Sequence, residues 1–211
     1  MFKFCLFCFA EIKRDIFCDQ CHEAIKNQKK EKSIRLSILK GVDERHDINV
    51  TTIYNYLNPL REMVLRAKVK NDHRMLESLV NLLIEEKTTI DLANWADCIM
   101  PATSSFWGRL RGRFDIAYMM VLKIAKVSGK PLMSAPFKLH WRLKKRALQK
   151  KKKRGIENET SGEIIHREGQ KNQKILLVDD IITTGFTLMN LAKNIENKEI
   201  RAIALCNAMT K

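Results

Sequence analysis

The chain of 211 residues carries two stretches whose residue types and spacing can do chemistry. The first is a pair of C-x2-C knuckles, Cys5 with Cys8 and Cys18 with Cys21, separated by nine residues. Four thiolates held in two tight turns can converge tetrahedrally on one zinc ion. With all four positions filled by protein, such a zinc is structural, and a short module gains its folding energy from the metal. The remaining cysteines, Cys98 and Cys206, lie in apolar strands and read as core residues.

The second stretch is KILLVDDIITTGFTLMN, residues 174–190. Ile175 to Val178 is a continuous apolar run, the pattern of a strand buried on both faces. Asp179 and Asp180 follow at its carboxyl end, where open α/β sheets place their ligands. Carboxylates there accept hydrogen bonds from vicinal ribose hydroxyls. Thr183, Thr184, Gly185 and Thr187 bring hydroxyl donors and a glycine to the start of a helix, whose free N–H groups and positive dipole end suit a phosphate dianion. Asp179, Asp180, Ile181, Ile182, Thr183, Thr184, Gly185, Phe186 and Thr187 therefore form the candidate ribose 5-phosphate site. An apolar strand, two acidic residues and TTGxT resemble the signature of the type I phosphoribosyltransferases. That resemblance implies phosphoribosyl pyrophosphate, carried with Mg2+, as the ligand.

Charge is the third signal. The formal net charge is +15, and ten cations with no acidic residue fall between Lys138 and Arg154, which leaves 15 − 10 = +5 for the rest. They are Lys138, Arg142, Lys144, Lys145, Arg146, Lys150, Lys151, Lys152, Lys153 and Arg154, interleaved with Phe137, His140 and Trp141 at one end. Cations that track phosphates and aromatic faces that stack bases are the ingredients of sequence-tolerant single-strand binding. Trp141 and the ten cations are the candidate single-stranded DNA interface. A lysine-rich solvated loop has the same composition.

Elements that position these groups can be read from periodicity. Residues 1–24 form the four-cysteine zinc finger; 25–47 are polar and lysine-rich, a linker or helix; and 48–211 form the main domain, with a mobile basic segment at 137–173. Within it, 48–57 is a strand and Asn58-Pro59 a turn; helices cover 60–68, 73–86 and 114–127, and a short strand at 96–101 leads to a small-residue loop at Thr103-Ser104-Ser105. Strands at 174–179 and 201–208 flank the last helix, and strand, helix, strand at this spacing predicts a parallel sheet. The fold class expected is α/β: a parallel-sheet domain of the type I phosphoribosyltransferase kind with a small amino-terminal zinc knuckle. No apolar run approaches the roughly 18 residues of a membrane span, and Lys3 and Glu11 break up the opening apolar residues, so a cytoplasmic protein without membrane insertion is expected.

Zinc knuckle and phosphate motif together resemble the ComF/ComFC competence proteins of naturally transformable bacteria. Supporting residues are the four cysteines, Tyr54, the Pro59-Leu60-Arg61 and Val64-Leu65-Arg66-Ala67-Lys68 stretches, Arg109 to Ala117, and the phosphate motif. The resemblance implies a role in bringing transforming DNA into the cytosol, beside a helicase-like partner and recombination factors. In that family a lysine and a glycine after the first helix meet the pyrophosphate; here Lys68 and Lys70 stand in Lys68-Val69-Lys70-Asn71-Asp72, where Asn71 tolerates the positive φ that glycine would take. The family's Gly-Phe-Asn-Gln reads Arg113-Phe114-Asp115-Ile116. Two other function classes fit the motif: a nucleotide-salvage transferase, which needs a base-specific pocket and no zinc module, and a transferase-fold regulator that binds nucleic acid without turnover.

Overall fold

The computed structural model describes residues 3–12, 16–39, 45–102, 115–133, 173–193, 195 and 198–209. Its elements run β1 Lys3–Phe4, β2 Glu11–Ile12, α1 Asp19–Lys26, β3 Lys29–Leu39, β4 Arg45–Asn55, α2 Leu60–Lys70, α3 His73–Ile84, α4 Lys87–Trp95, β5 Cys98–Pro101, α5 Ile116–Ser128, β6 Lys174–Ile182, α6 Phe186–Lys193 and β7 Glu199–Asn207.

Five strands form the main sheet in the order β3-β4-β7-β6-β5. The β3–β4 pair is antiparallel, and the other three pairings are parallel. The fold is thus α/β with a mainly parallel sheet, as expected. β6 lies between β7 and β5, which pair with both of its edges, and helices cover both of its faces. Alternation sorts its apolar run into two layers. Leu176 and Val178 join Ile203 and Leu205 of β7 under α2, α3 and α5, whereas Ile175 and Leu177 join Ala202 and Ala204 under α6.

Local sequence explains the helix ends. Asn71 ends α2 in the left-handed region, with φ 51, and Asp72 then caps α3 by accepting from the N–H groups of Arg74 and Met75. Asp115 caps α5 through the N–H of Tyr118, and Gly129, with φ 68, ends it.

Several boundaries differ from expectation. Residues 29–39 are an edge strand of the sheet, not a linker or helix. Its lysines conceal a period of two, in which Lys32, Ile34 and Leu36 turn inward while Glu31, Ser33, Arg35 and Ser37 face solvent. The helix expected over 73–86 stops at Ile84, and a separate helix, α4, follows. Glu86, at that break, is held by Tyr54 and Lys29: the Tyr54 hydroxyl donates to Oε1 at 2.9 Å, and Lys29 Nζ lies 2.6 Å from Oε2. A buried carboxylate with two such partners costs less to place than one left unpaired.

The amino-terminal module packs onto this domain. Leu6 and Ile25 enter the same core cluster as Ile53, Leu60 and Leu79. Arg66 of α2 is the polar tie: Nη1 donates to the Leu6 carbonyl at 2.8 Å, Nη2 donates to Asp72 at 2.8 Å, and the guanidinium lies 5.6 Å from the Phe9 ring centroid.

Candidate functional site

β6 runs past the acidic pair to Ile182, so Asp179 and Asp180 are strand residues near the carboxyl end of the sheet, and the loop proper is Thr183 to Gly185. Both carboxylates are buried, at 4% and 5% exposure. The N–H of Asp180 donates to Asp179 Oδ1 at 2.9 Å. Lys68 reaches over from α2, its Nζ 2.5 Å from Asp180 Oδ2, and its side chain is 40% exposed. Among the described residues, the pair therefore has one cation against two acids. Lys70, two residues further along α2, is exposed, and a rotation of about 200° along the helix points it away from Lys68.

Burial and the neighbouring Asp180 charge push the Asp179 carboxyl up to about 7, Lys68 opposes this, and Asp115 adds to it. Asp115 belongs to the site by that charge, although the sequence points to it only within the 109–117 stretch. Two further residues were not legible as site residues. Tyr56 lies just beyond β4, where burial raises its hydroxyl against the charges of Lys68 and Arg61. Cys206 of β7 is paired in register with Ile181, and burial followed by the Asp180 charge drives its thiol up to about 12. It is inert packing beneath the acids.

The position of Asp179 makes a pH prediction. Its folded value lies above the ordinary carboxyl value of about 3.9, so between about 4 and about 7 the folded protein holds a proton that the unfolded chain has released. Its contribution to stability therefore falls as pH rises through that window. Chemical denaturation at both ends of the window should show Asp179→Asn gaining on the wild type toward pH 7.5. Equal differences at pH 5 and pH 7.5 would place Asp179 in an ordinary environment.

The loop itself has Gly185 at φ 71. The N–H of Phe186 donates to Thr184 Oγ1 at 3.3 Å, and the N–H of Met189 donates to the Gly185 carbonyl at 3.0 Å, which begins α6. Thr183, Thr184, Phe186 and Thr187 are exposed around that helix start. A strand delivering two carboxylates, a glycine turn and a helix amino terminus thus adjoin one another, the arrangement that suits a sugar phosphate. Residues 138–211 match the phosphoribosyl transferase domain. That region contains β6, the loop, α6 and β7, and it extends amino-terminally across the basic segment.

Two solved structures are distantly similar. Orotate phosphoribosyltransferase from Aeropyrum pernix is 13% identical over 88% of this chain and 80% of its own, with a TM-score of 0.37. Adenine phosphoribosyltransferase from Leishmania tarentolae is 13% identical over 76% of this chain and 93% of its own, with a TM-score of 0.41. No curated protein matches the chain in sequence.

The four cysteines do come together. Their Sγ atoms all lie within 4.8 Å of one another, and those of Cys8 and Cys18 are 3.5 Å apart. Tetrahedral zinc with bonds of about 2.3 Å sets its sulfurs about 3.8 Å apart, so the cluster fits this ion. Knuckle geometry supports each pair: the N–H of Phe9 donates to the Cys5 carbonyl at 3.0 Å, that of His22 to the Cys18 carbonyl at 2.9 Å, and Phe9 takes φ 62. Burial pushes the Cys5 thiol up, but the N–H groups of Cys8, Cys18 and Phe7 outweigh it and bring it down to about 6. Cys21 goes the other way, raised by burial and by its bonds to Cys18, Cys8 and Cys5. The two directions differ because the cluster accommodates a first negative charge and resists the next, a resistance that a dication removes.

Thr103 to Ser105, Arg109 to Phe114 and the whole basic segment, from Phe137 through Lys138, Trp141 and Arg142 to Arg154 and on to residue 172, lie outside the described residues. Among the described residues, no helix is long and apolar enough to cross a membrane.

Proposed function

We propose that this protein is a competence factor that binds phosphoribosyl pyrophosphate and single-stranded DNA and supports the import or handling of transforming DNA in the cytosol. The observation that carries the reading is the buried Asp179–Asp180 pair set directly before the Thr183–Thr187 turn, in a region that matches the phosphoribosyl transferase domain. In this reading the carboxylates take the ribose hydroxyls and the helix start takes the 5-phosphate. Among the described residues, Lys68 is the cation paired with the acids and the group best placed to meet the pyrophosphate. Magnesium arrives on the pyrophosphate, because this ion prefers substrate phosphates and retained water to an all-protein cage.

The cysteine module holds a structural zinc, and the cations at 138–154 track DNA phosphates while Trp141 stacks on bases. The partners are a helicase-like competence protein and recombination factors, as the ComF/ComFC resemblance implies. Transfer to a free nucleobase is the rival reading, and the zinc module and cationic belt are both superfluous to it.

Calorimetry of the zinc-loaded protein against phosphoribosyl pyrophosphate with magnesium, beside an assay of pyrophosphate release with free bases, nucleosides and single-stranded DNA as acceptors, tests this reading. Binding without release to free bases supports it. Absence of binding overturns it, and rapid release with one base converts the protein into a salvage enzyme. The DNA half has its own expected result: replacing Lys150 to Lys153 with alanine weakens single-strand binding and flattens its salt dependence by up to about four phosphate contacts. Unchanged affinity and slope would remove these lysines from the interface.

A further inference from the structure

Gly185 is where a side chain from far outside the matched region meets the phosphate turn. A Cβ placed on Gly185 would fall 2.5 Å from Leu36 Cδ1 and 3.0 Å from Cδ2. Leu36 belongs to β3, the edge strand, and is 7% exposed among Ile48, Ile182, Leu188 and Leu191. A side chain on Gly185 would therefore require these two methyl groups to shift within their buried surroundings.

The geometry points to Leu36 as a positioning residue for the phosphate turn: it seats Gly185 from below, and so fixes where the N–H groups at the start of α6 point. The inference rests on the proposed reading of that turn as the phosphate site, and it makes the β3–β4 hairpin a part of that site. Strand register carries the argument. Leu36 is opposite Ile48 and Ser37 is opposite Asp47, while on the outer face Arg35 Nε donates to Asp47 Oδ2 at 2.6 Å. A slip of one residue would turn Leu36 to solvent and present Arg35 or Ser37 to Gly185, since strand side chains alternate between faces. The hydrophobic contact and the outer ion pair specify the same register. Glycine at this position then serves two needs, a positive φ and contact with a leucine.

A mutant cycle on the full-length, zinc-loaded protein tests this, with calorimetry against inorganic phosphate and against phosphoribosyl pyrophosphate. Gly185→Ala in the wild-type background should weaken both ligands by about tenfold or more, which against the loss in the Leu36→Ala background gives a coupling in the usual range for residues in contact. In the Leu36→Ala background, where the methyl groups are gone, the same substitution should cost less than about threefold. Backbone strain from the positive φ is common to both backgrounds and cancels. Leu36→Met, which keeps the volume, should bind like the wild type, a rescue that loss of general core stability would not single out at the phosphate. If Leu36→Ala does not fold, Leu36→Val gives the same sign with a smaller coupling. Equal losses from Gly185→Ala in both backgrounds, with the wild type binding normally, would overturn the role of Leu36 and leave the proposed function standing. A wild type that binds neither ligand would overturn both.

Discussion

The Asp179→Asn, Asp180→Asn variant will bind inorganic phosphate as the wild type does and lose phosphoribosyl pyrophosphate. The separation follows from geometry: the carboxylates are buried strand residues, whereas the contacts proposed for phosphate lie in the turn and helix start three to eight residues later. A hydrogen bond to a charged group contributes roughly 1.5–3 kcal/mol, so removing two weakens binding by more than about a hundredfold, subject to non-additivity. Lys68, already 40% exposed, can turn to water when Asp180 loses its charge, so the variant is expected to fold. Calorimetry against both ligands, beside a DNA-uptake assay, measures the outcome. Wild-type affinity for phosphoribosyl pyrophosphate would refute the ribose half of the site, and lost affinity with normal uptake would detach the site from the proposed role.

The second large effect concerns the metal. Wild-type protein should carry one equivalent of zinc, and the Cys18→Ser, Cys21→Ser variant none. Structural zinc sites contribute about 10–16 kcal/mol of binding to otherwise unfolded peptides, and here Leu6 and Ile25 leave the main core if the module opens. Burial of each such side chain is worth about 1.5–3 kcal/mol, and Arg66 would lose its Leu6 and Phe9 contacts as well. Melting temperature should therefore drop by well over the few degrees expected of an ordinary surface variant. Full zinc content and an unchanged melting temperature in the double variant would rule the cysteine assignment out.

How much of this could be read from residues depended on whether the signal was local. The cysteine pairs and the strand-acid-turn-helix run are contiguous, and each specifies its own geometry. Residues 29–39 show the opposite case. Their inward positions include Lys32, their outward positions mix serine with charge, and only pairing to Ile48 and Val50 across the hairpin makes the alternation meaningful. Tyr56 has no local signal, and Asp115 stands out only within the 109–117 stretch, because each meets the acidic pair from a different element, tens of residues away; Cys206, which reads as a core residue, is one. Lys68 was nominated by resemblance alongside Lys70. Helical rotation, a property of α2 and not of the motif, sets them on different sides of the helix, with Lys68 paired to Asp180 and Lys70 exposed.

Strand order also has a consequence for biosynthesis. β7 is the last described strand to leave the ribosome, yet it sits in the middle of the sheet, between β4 and β6. Until it emerges, the β3–β4 hairpin and the β5–β6 pair each present an unsatisfied edge, and Ile203, Leu205 and Cys206 are missing from the core that Leu6 helps to close. Such non-local closure is slow and leaves nascent edges open to aggregation. A chain arrested before β7 is thus expected to be a client for chaperones or proteases rather than a partly working protein.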